Sequence, residues 1–422
     1  MRWKLTNSVL EPPRHIIPSI EEKIIPGRTE EVIKGISLVT PMLGGGVKSL
    51  GIDSAMPIRA ASIRGHLRFW WRTFQDCADV KALREKEKAL WGSTENASKV
   101  TVRVQITNPG RPVEYKKDTK ANATELPKYV IFPLDNTKDE NGRYVKAFTL
   151  KEGISFNLHL TYPSDRKREL FTAVKLWLLF GGIGARTRRG MGSLYCGTWT
   201  GWQSREKVVD WLQEVIPAGN PSGEPKWPSL IGGRLQLIEK DCHTNIMKLW
   251  RGWINNYQRF RQFRVDKHTG EKNDWGHSVW PEPNAIRTLY NSGNFGKDAY
   301  FPRGAYGLPI LFHFGKQNPL NCTLYGFSDG IMERWSSPVI LKVARLNQDK
   351  CIKICLKLNS PLPEGWCLKR ESDEKKLPPS AYPMADRPAK HGDTLNGNDP
   401  YAALFKAMAS EDPMTLGKGG RV

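Results

Sequence analysis

The sequence predicts an α+β protein made of two domains. In its N-terminal half, segments with a two-residue hydrophobic period alternate with segments whose apolar residues recur at helical spacing. A Pro- and Gly-rich stretch at residues 216–230 interrupts both patterns. The length of 422 residues also fits two domains, at roughly 100–200 residues each. We therefore expect one domain at residues 1–220 and a second at 231–422.

Six elements are predicted in the first domain, in the order β-α-β-β-α-β. They are a strand at residues 31–39, a helix from Ser62 to Phe74 with Ser62 as N-cap, strands at 99–106 and 154–160, a helix from Leu170 to the Gly181-Gly182 pair, and a strand at 193–199. This order is the ferredoxin-like, or split βαβ, arrangement, whose antiparallel sheet leaves one face free for a ligand. The polar residues 107–150 are expected to form a surface insert.

The second domain carries weaker signals of the same kind. A long helix is predicted at residues 241–264 and strands at 338–345 and 351–358. We interpret this half as a diverged copy of the first, which gives two ferredoxin-like (RRM-like, βαββαβ) domains. The polar, Pro-rich residues 369–400 and the C-terminal KGGRV are expected to form a mobile tail.

The composition is strongly basic. The chain has 64 Lys and Arg against 43 Asp and Glu, a formal net charge of +21. This surplus favours a polyanionic partner; the alternative is an ordinary protein that tolerates its charge. Seven cysteines form no CxxC pair, and Cys351 and Cys355 fit an apolar strand, so we expect interior thiols in a reducing compartment. Without a signal peptide or a membrane-length apolar run, a cytoplasmic protein is expected.

The first functional motif is PIRAASIRGHLRFWWR at residues 57–72. Arg64, Arg68 and Arg72 repeat every four residues and therefore lie along one side of the helix. Near its start are Arg59, Ser62, Gly65 and His66. A helix N-terminus with a row of arginines suits phosphate groups, so Arg59, Ser62, Arg64, His66, Arg68 and Arg72 are predicted to bind a nucleic-acid backbone. The alternative is a solvated charged face with His66 as a core residue.

The second motif is FGGIGARTRRGMGSL at residues 180–194. Its glycines allow close approach to a ligand, and its arginines offer forked donors for phosphate. The predicted contacts are Gly182, Gly184, Arg186, Arg188 and Arg189. A dinucleotide site is excluded because the glycines follow a helix and precede a strand, and a P-loop is excluded because no Gly-Lys-Ser/Thr follows. Because these arginines follow a helix end and lie among glycines, we expect no core packing to depend on their side chains. The alternative is a tight turn with incidental charge.

The third motif is the loop TPMLGGGVKSLGID at residues 40–53. Gly44, Gly45, Gly46 and Lys48 are predicted to cradle a nucleic-acid backbone. Asp53 is the candidate catalytic residue, since a carboxylate could hold a metal or act on a proton. The favoured interpretation of Asp53 is structural, as the cap of a turn or the partner of Arg59. We expect no resident metal or cofactor.

Together these motifs resemble the RAMP superfamily of CRISPR effector proteins, and within it subunit one of the Cmr (type III-B) module. In the second half, YGLPILFHFG and RWSSPVILKV are similar to C-terminal motifs of that subunit. The resemblance implies two ferredoxin-like domains, other RAMP subunits as partners, and contact with guide RNA or target RNA near the guide's 3′ end, in antiviral defence. It also implies that the glycine loops and the segment from Arg59 to Arg72 face RNA.

Three classes of function follow from these observations. The leading prediction is a non-catalytic RNA-binding subunit. The alternative is a RAMP-family endoribonuclease that cuts target or guide-precursor RNA through Asp53 or His66. The position of the glycines argues against a nucleotide-binding enzyme.

Overall fold

The computed structural model describes residues 27–46, 53, 56–116, 126–131, 142–143, 147–219, 225–242, 245–266, 268–269, 271–272, 276–293, 300–315, 320–370, 373–376, 399–409 and 412–417. Helices and antiparallel sheets occur in both halves, which confirms the predicted α+β class. Within these ranges, none of the helices has the length and apolar character needed to cross a membrane.

The first half forms one antiparallel sheet and the helices that pack on it. Its strands are β1 (Arg28–Leu38), β2 (Met42–Leu43), β3 (Thr101–Lys116), β4 (Ala147–Pro163) and β5 (Leu194–Tyr195). Its helices are α1 (Ala60–Thr73), α2 (Val80–Trp91), α3 (Lys128–Ile131), α4 (Lys167–Phe180), α5 (Gly197–Thr200) and α6 (Arg205–Val215). The strands lie in the order β5-β1-β4-β3, and β2 pairs with β4 beyond the end of β1.

The second half contains a sheet with the same order of elements. Its strands are β6 (Ser229–Asp241), β7 (Arg264–Val265), β8 (His277–Ser278), β9 (Ile310–Phe312), β10 (Cys322–Phe327), β11 (Ile331–Met332), β12 (Val339–Arg345), β13 (Lys350–Asn359), β14 (Gly365–Arg370), β15 (Asp373–Lys376) and β16 (Met414–Thr415). Its helices are α7 (Ile246–Gln262), α8 (Glu282–Ser292) and α9 (Pro400–Met408). β16-β6-β13-β12 repeats the order β5-β1-β4-β3, with α7 and α9 in the places of α1 and α4. β9, β10, β11, β14 and β15 form a separate antiparallel sheet.

The two sheets share the helices between them. Residues of α1 and α4, such as Leu67 and Leu176, belong to one core with Ile36 of the first sheet and Ile354 of the second. α7 and α9 cover the other face of the second sheet. Every residue from Val339 to Ala344 in β12 is buried, as expected for a strand covered on both faces. In β4 the burial alternates from Ile154 to Leu160, so the first sheet has one covered face.

The prediction for residues 107–150 is wrong at both ends of the insert. β3 continues to Lys116, opposite Ala147 at the start of β4. A register shift between Ile106 and Asn108 interrupts the alternation of apolar residues, which is why the pattern stopped at residue 106. Leu126, Val130 and Ile131 belong to the core beneath α7. The predicted strand at 193–199 is also too long, because the chain leaves the sheet at Cys196 and Thr200 donates its amide back to Cys196.

Two further expectations are corrected in the second half. The predicted mobile segment begins inside β14, and β15 and α9 follow, with Leu404 and Phe405 fully buried; residues 377–398 and 418–422 lie outside the described chain. Cys351 is not a free interior thiol, because it forms a disulfide with Cys242. The pairing of β13 with β6 brings their Cα atoms to 5.4 Å, within the usual range for a disulfide.

Candidate nucleic-acid interface

A cleft of about 210 Å³ lies where all three predicted motifs meet. Its apolar floor consists of Met42, Pro57, Ile58, Ile63 and Ile183. Its remaining lining residues are Gly45, Gly46, Arg59, Ser62, His66 and Gly184. The structure therefore brings together six of the predicted site residues, drawn from two loops and one helix that are distant in sequence.

One edge of α1 faces this cleft. Arg59 is the N-cap, with extended backbone at φ −99° and ψ 131°, and it donates a 2.6 Å hydrogen bond to the Gly45 carbonyl. The prediction of Ser62 as N-cap is wrong, because the helix begins earlier, at Ala60. Ser62 is consequently exposed, one helical turn before His66. The His66 ring stacks on Trp177 at 6.4 Å, and burial lowers its pKa, which favours the neutral imidazole at pH 7.

The other polar edge of α1 faces α2 instead. Arg68 and Arg72 both bind the Glu87 carboxylate, at 2.8 Å and 2.6 Å, and Arg64 donates to the Trp91 carbonyl. The predicted row of arginines therefore already has partners within the chain, a carboxylate for Arg68 and Arg72 and a carbonyl for Arg64. The sequence did carry a signal for α2, because Leu83, Glu87 and Leu90 recur at helical spacing.

The second glycine motif is fixed against the first by backbone hydrogen bonds. Ala185 donates to the Leu43 carbonyl at 2.8 Å and Gly192 to the Pro41 carbonyl at 2.9 Å. A Cβ at Gly184 would lie 2.5 Å from the Leu43 oxygen, at a φ of +79°. Glycine is required there for close backbone packing as well as for conformation. Gly182 is packed in the same way, against the backbone of Gly192.

Arg188 and Arg189 are tied to the second half of the chain. Arg189 donates to the Val339 carbonyl at 2.7 Å and to the Ser337 hydroxyl at 3.1 Å. Arg188 donates to the Ser337 carbonyl, and burial lowers its pKa to about 10. The expectation that core packing is independent of these arginines is wrong for both. The guanidinium groups of Arg188 and Arg189 donate their hydrogen bonds to residues about 150 positions away in the sequence.

A buried lysine supports the start of the same motif. Lys342 of β12 is fully buried and donates to the Leu178 and Gly181 carbonyls, at 2.8 Å and 2.7 Å. These carbonyls lie at the C-terminal end of α4, where a cation is favourable. Burial lowers the Lys342 pKa to about 7. The sequence analysis missed this residue, although a single lysine inside an apolar strand was a signal that could have identified it.

Asp53 forms a local contact. Its carboxylate accepts a 2.9 Å hydrogen bond from the Met56 amide, which is the turn-capping role favoured from the sequence. Lys48 lies outside the described residues. In the described part of the chain, no three or more His, Cys, Asp and Glu residues are grouped so that they could hold a metal.

Comparison with known proteins supplies the family. The sequence model of the RAMP superfamily matches residues 36–195. The CRISPR system Cmr subunit Cmr1-1 of Pyrococcus furiosus is 31% identical over 237 residues, which are 50% of this chain and 67% of that relative. The chain belongs to the RAMP superfamily. Cmr subunit Cmr1-2 of the same organism is 29% identical over 181 residues, covering 39% of this RAMP protein and 94% of the relative.

The chain is also similar to solved structures. The apo crystal structure of Cmr1 from Pyrococcus furiosus is 17% identical, covers 82% of this chain and 94% of its own, and has a TM-score of 0.45. A chain of the type III-B Cmr-beta complex bound to cognate target RNA is 12% identical, with coverages of 78% and 94% and a TM-score of 0.43. In this RAMP protein, the segment matched by the superfamily contains every residue that lines the cleft, whereas Lys342 and Ser337 lie beyond it.

Proposed function

We propose that this RAMP protein is the Cmr1-type subunit of a type III-B CRISPR effector complex and that it binds RNA without cutting it. Its partners are guide RNA, target RNA and other RAMP subunits, its contacts lie near the guide's 3′ end, and its role is antiviral defence in the cytoplasm. We also infer that the two halves are ferredoxin-like domains, at residues 1–220 and 231–422. The matching order of strands in the two sheets supports this inference.

The observation that carries the proposal is the convergence of Gly45, Arg59 and Gly184 on one cleft. Glycine lets a nucleic-acid strand approach the backbone of both loops, because no side chain stands in the way. Arg59 and Ser62 are exposed at the start of α1, beside the two loops, where they supply donors for phosphate oxygens. The net charge of +21 adds long-range attraction for a polyanion.

The RNA contacts proposed from the sequence now divide by position. The cleft residues Gly45, Gly46, Arg59, Ser62, His66 and Gly184 are proposed as direct contacts, and Gly44 and Lys48 as their continuation along the loop. Arg64, Arg68 and Arg72 are proposed as contacts from the edge shared with α2. Gly182, Arg186, Arg188 and Arg189 are proposed as contacts from the second glycine motif, which Gly182, Arg188 and Arg189 also hold in place.

The endoribonuclease alternative depends on His66. A neutral imidazole at the edge of the cleft has the chemistry of a general base. Asp53 supports the non-catalytic proposal instead, because its carboxylate caps a turn.

The experiment is a binding titration with labelled single-stranded RNA, in Mg²⁺ and in EDTA. We expect intact RNA and an affinity whose logarithm falls with log salt by about 0.7 per neutralised phosphate. The double variant Arg59→Ala, Ser62→Ala should weaken binding about tenfold or more, since charged and neutral hydrogen bonds are lost together. Arg84→Ala, which removes an exposed arginine from α2, is the matched control.

Equal RNA affinities for the double variant and the control would contradict the proposal that RNA binds in the cleft. Wild-type RNA cleavage that His66→Ala abolishes would instead support the endoribonuclease.

A further inference from the structure

Helix α7 presents a row of basic and amide side chains to solvent. Five of its residues recur at intervals of three or four positions, which places them on one face of the helix. They are Lys248, Arg251, Asn255, Arg259 and Gln262, all of them exposed or partly exposed. At a rise of about 1.5 Å per residue, the row is about 21 Å long. These five residues form the α7 basic face.

The opposite face of α7 is its apolar stripe. Trp250, Trp253 and Tyr257 are buried there. Trp250 donates a 2.8 Å hydrogen bond to the Arg189 carbonyl of the second glycine motif. The α7 basic face therefore points away from that motif, and none of its residues lines the cleft. It is a surface separate from the site described above.

No carboxylate neutralises the α7 basic face within the part of the chain that the structure describes. Lys248, Arg251 and Arg259 form no ion pair with a described residue, and α7 itself contains neither Asp nor Glu. Lys248 lies in the first turn, where the helix dipole disfavours a cation. Like charges on neighbouring turns also repel one another. The row thus lowers the stability of the helix, which points to an anion supplied by another molecule.

Helices α2 and α6 show how the same chain treats an ordinary exposed face. In α2, Lys88 pairs with Glu85 at 3.1 Å. In α6, Lys207 pairs with Asp210 at 4.0 Å. A solvated helix face usually carries both signs of charge in this way. The α7 basic face carries one sign, so solvation alone does not account for it.

The composition of the face indicates the class of partner. A protein partner would need an apolar centre, because the cores of protein interfaces are depleted of charged residues and enriched in aromatic ones. The α7 basic face has no apolar side chain, and Met56, Leu311 and Leu362, the exposed large apolar residues of the described chain, lie elsewhere. Arginine, lysine, asparagine and glutamine are among the side chains that donate hydrogen bonds to phosphate oxygens. A nucleic-acid backbone fits this face better than a protein does.

We propose that the α7 basic face binds the phosphate backbone of an RNA strand outside the cleft. This second surface rests on the proposed RNA-binding function, and it lies beyond residues 36–195, the segment matched by the RAMP superfamily. Phosphate contacts carry no sequence information directly. The face therefore extends the length of RNA that the protein holds without selecting its sequence.

The test is the triple variant Lys248→Gln, Arg251→Gln, Arg259→Gln of the full chain, because glutamine removes the charge and keeps a high helix propensity. Two labelled single-stranded RNAs are titrated. One has about 8 nucleotides, a length that a single binding surface holds, and the other is several times longer. The longer RNA should bind about tenfold more weakly to the variant than to wild type. Its salt slope should flatten by about 2, at about 0.7 for each lost phosphate contact, while the short RNA binds equally well.

The matched control is Lys81→Gln, Arg84→Gln, Lys88→Gln. It also removes three positive charges at helical spacing from one exposed helix face, that of α2, so it reproduces the change in net charge. Its affinity for both RNAs should stay close to that of wild type.

Equal affinities of the two triple variants for the longer RNA would overturn the α7 site, and continued binding of the short RNA would leave the proposed function standing. Equal RNA affinities with loss of a protein subunit from the purified complex would assign the face to that subunit and also overturn the proposal. Wild type offers a measurement that needs no variant, since bound long RNA should slow the acylation of Lys248 by an amine-reactive reagent. Equal acylation rates with and without RNA would contradict the site even if the variant misfolds. If wild type binds neither RNA, the proposed function itself fails.

Discussion

The two polar edges of α1 differ in which groups bind their side chains. On one edge, Arg68 and Arg72 share the Glu87 carboxylate, whose side chain is only 10% exposed. On the other edge, Ser62 and His66 line an open cleft, and Arg59 reaches across to the Gly45 carbonyl. The edge with the denser row of positive charge is thus the one that the protein pairs internally. Charge density in a sequence indicates affinity for anions, but it does not say whether the anion belongs to the same chain.

The two edges are also held in place by different interactions. Ion pairs to α2 fix the arginine edge. The cleft edge faces glycine loops held by backbone hydrogen bonds and by the buried Lys342 ammonium beneath them. Changes of charge should therefore disturb stability on the first edge and ligand binding on the second.

Removing Glu87 is expected to have the largest effect on stability. Glu87→Ala leaves Arg68 and Arg72 facing each other without a counter-charge, and should lower the free energy of unfolding by about 1–3 kcal/mol, discounted because the arginines are about a third exposed. RNA affinity should be unchanged or stronger. Urea denaturation and RNA titration measure the two quantities.

Glu85→Ala is the control for this comparison. Glu85 pairs with Lys88 on the exposed side of the same helix, so its loss should change the free energy of unfolding by less than about 0.5 kcal/mol. A drop in RNA affinity for Glu87→Ala with full stability would mean that Arg68 and Arg72, as oriented by Glu87, contribute more to RNA binding than the cleft does.

Lys342 should make stability depend on pH on the cleft side. Its pKa is lowered to about 7 in the folded protein, against 10.5 for the usual group, so between these values the unfolded state binds more protons. The free energy of unfolding should therefore rise with pH, by at most about 1.4 kcal/mol per pH unit from this group. Lys342→Met should remove that rise in urea denaturation at pH 7, 8 and 9. Identical slopes for both proteins would rule out this contribution.

His66 should give the smallest effect. Burial lowers its pKa, so the unfolded state binds the extra proton as pH falls below about 6.5, and the folded state loses stability there. A phosphate in the cleft would favour the charged ring, so RNA affinity should rise about two- to threefold from pH 7.5 to 6. RNA titrations should find no such rise for His66→Ala. A variant that keeps the wild-type pH profile would place the phosphate away from this ring.

Prediction from the sequence succeeded where local periodicity is strong. It failed where contacts between residues distant in sequence determine the structure. α1, α4, α7, β12 and β13 were all predicted near their observed positions, because each carries a continuous apolar pattern. The far ends of β3 and β4 were missed because a register shift breaks the alternation after Ile106. The strand predicted at residues 193–199 was too long because a short helix, α5, begins at Gly197.

The candidate site follows the same division. The sequence by itself determined the α+β class, the basic surplus, the three motifs and the glycines that permit close approach, since these depend on residue type and spacing. The tertiary structure decided that Glu87 pairs with the arginine row, that Ser337 and Val339 bind Arg188 and Arg189, and that Lys342 supports the loop. Hydrogen-bond donors take whichever acceptors the fold brings near, and the spacing of residues along a chain does not specify that proximity.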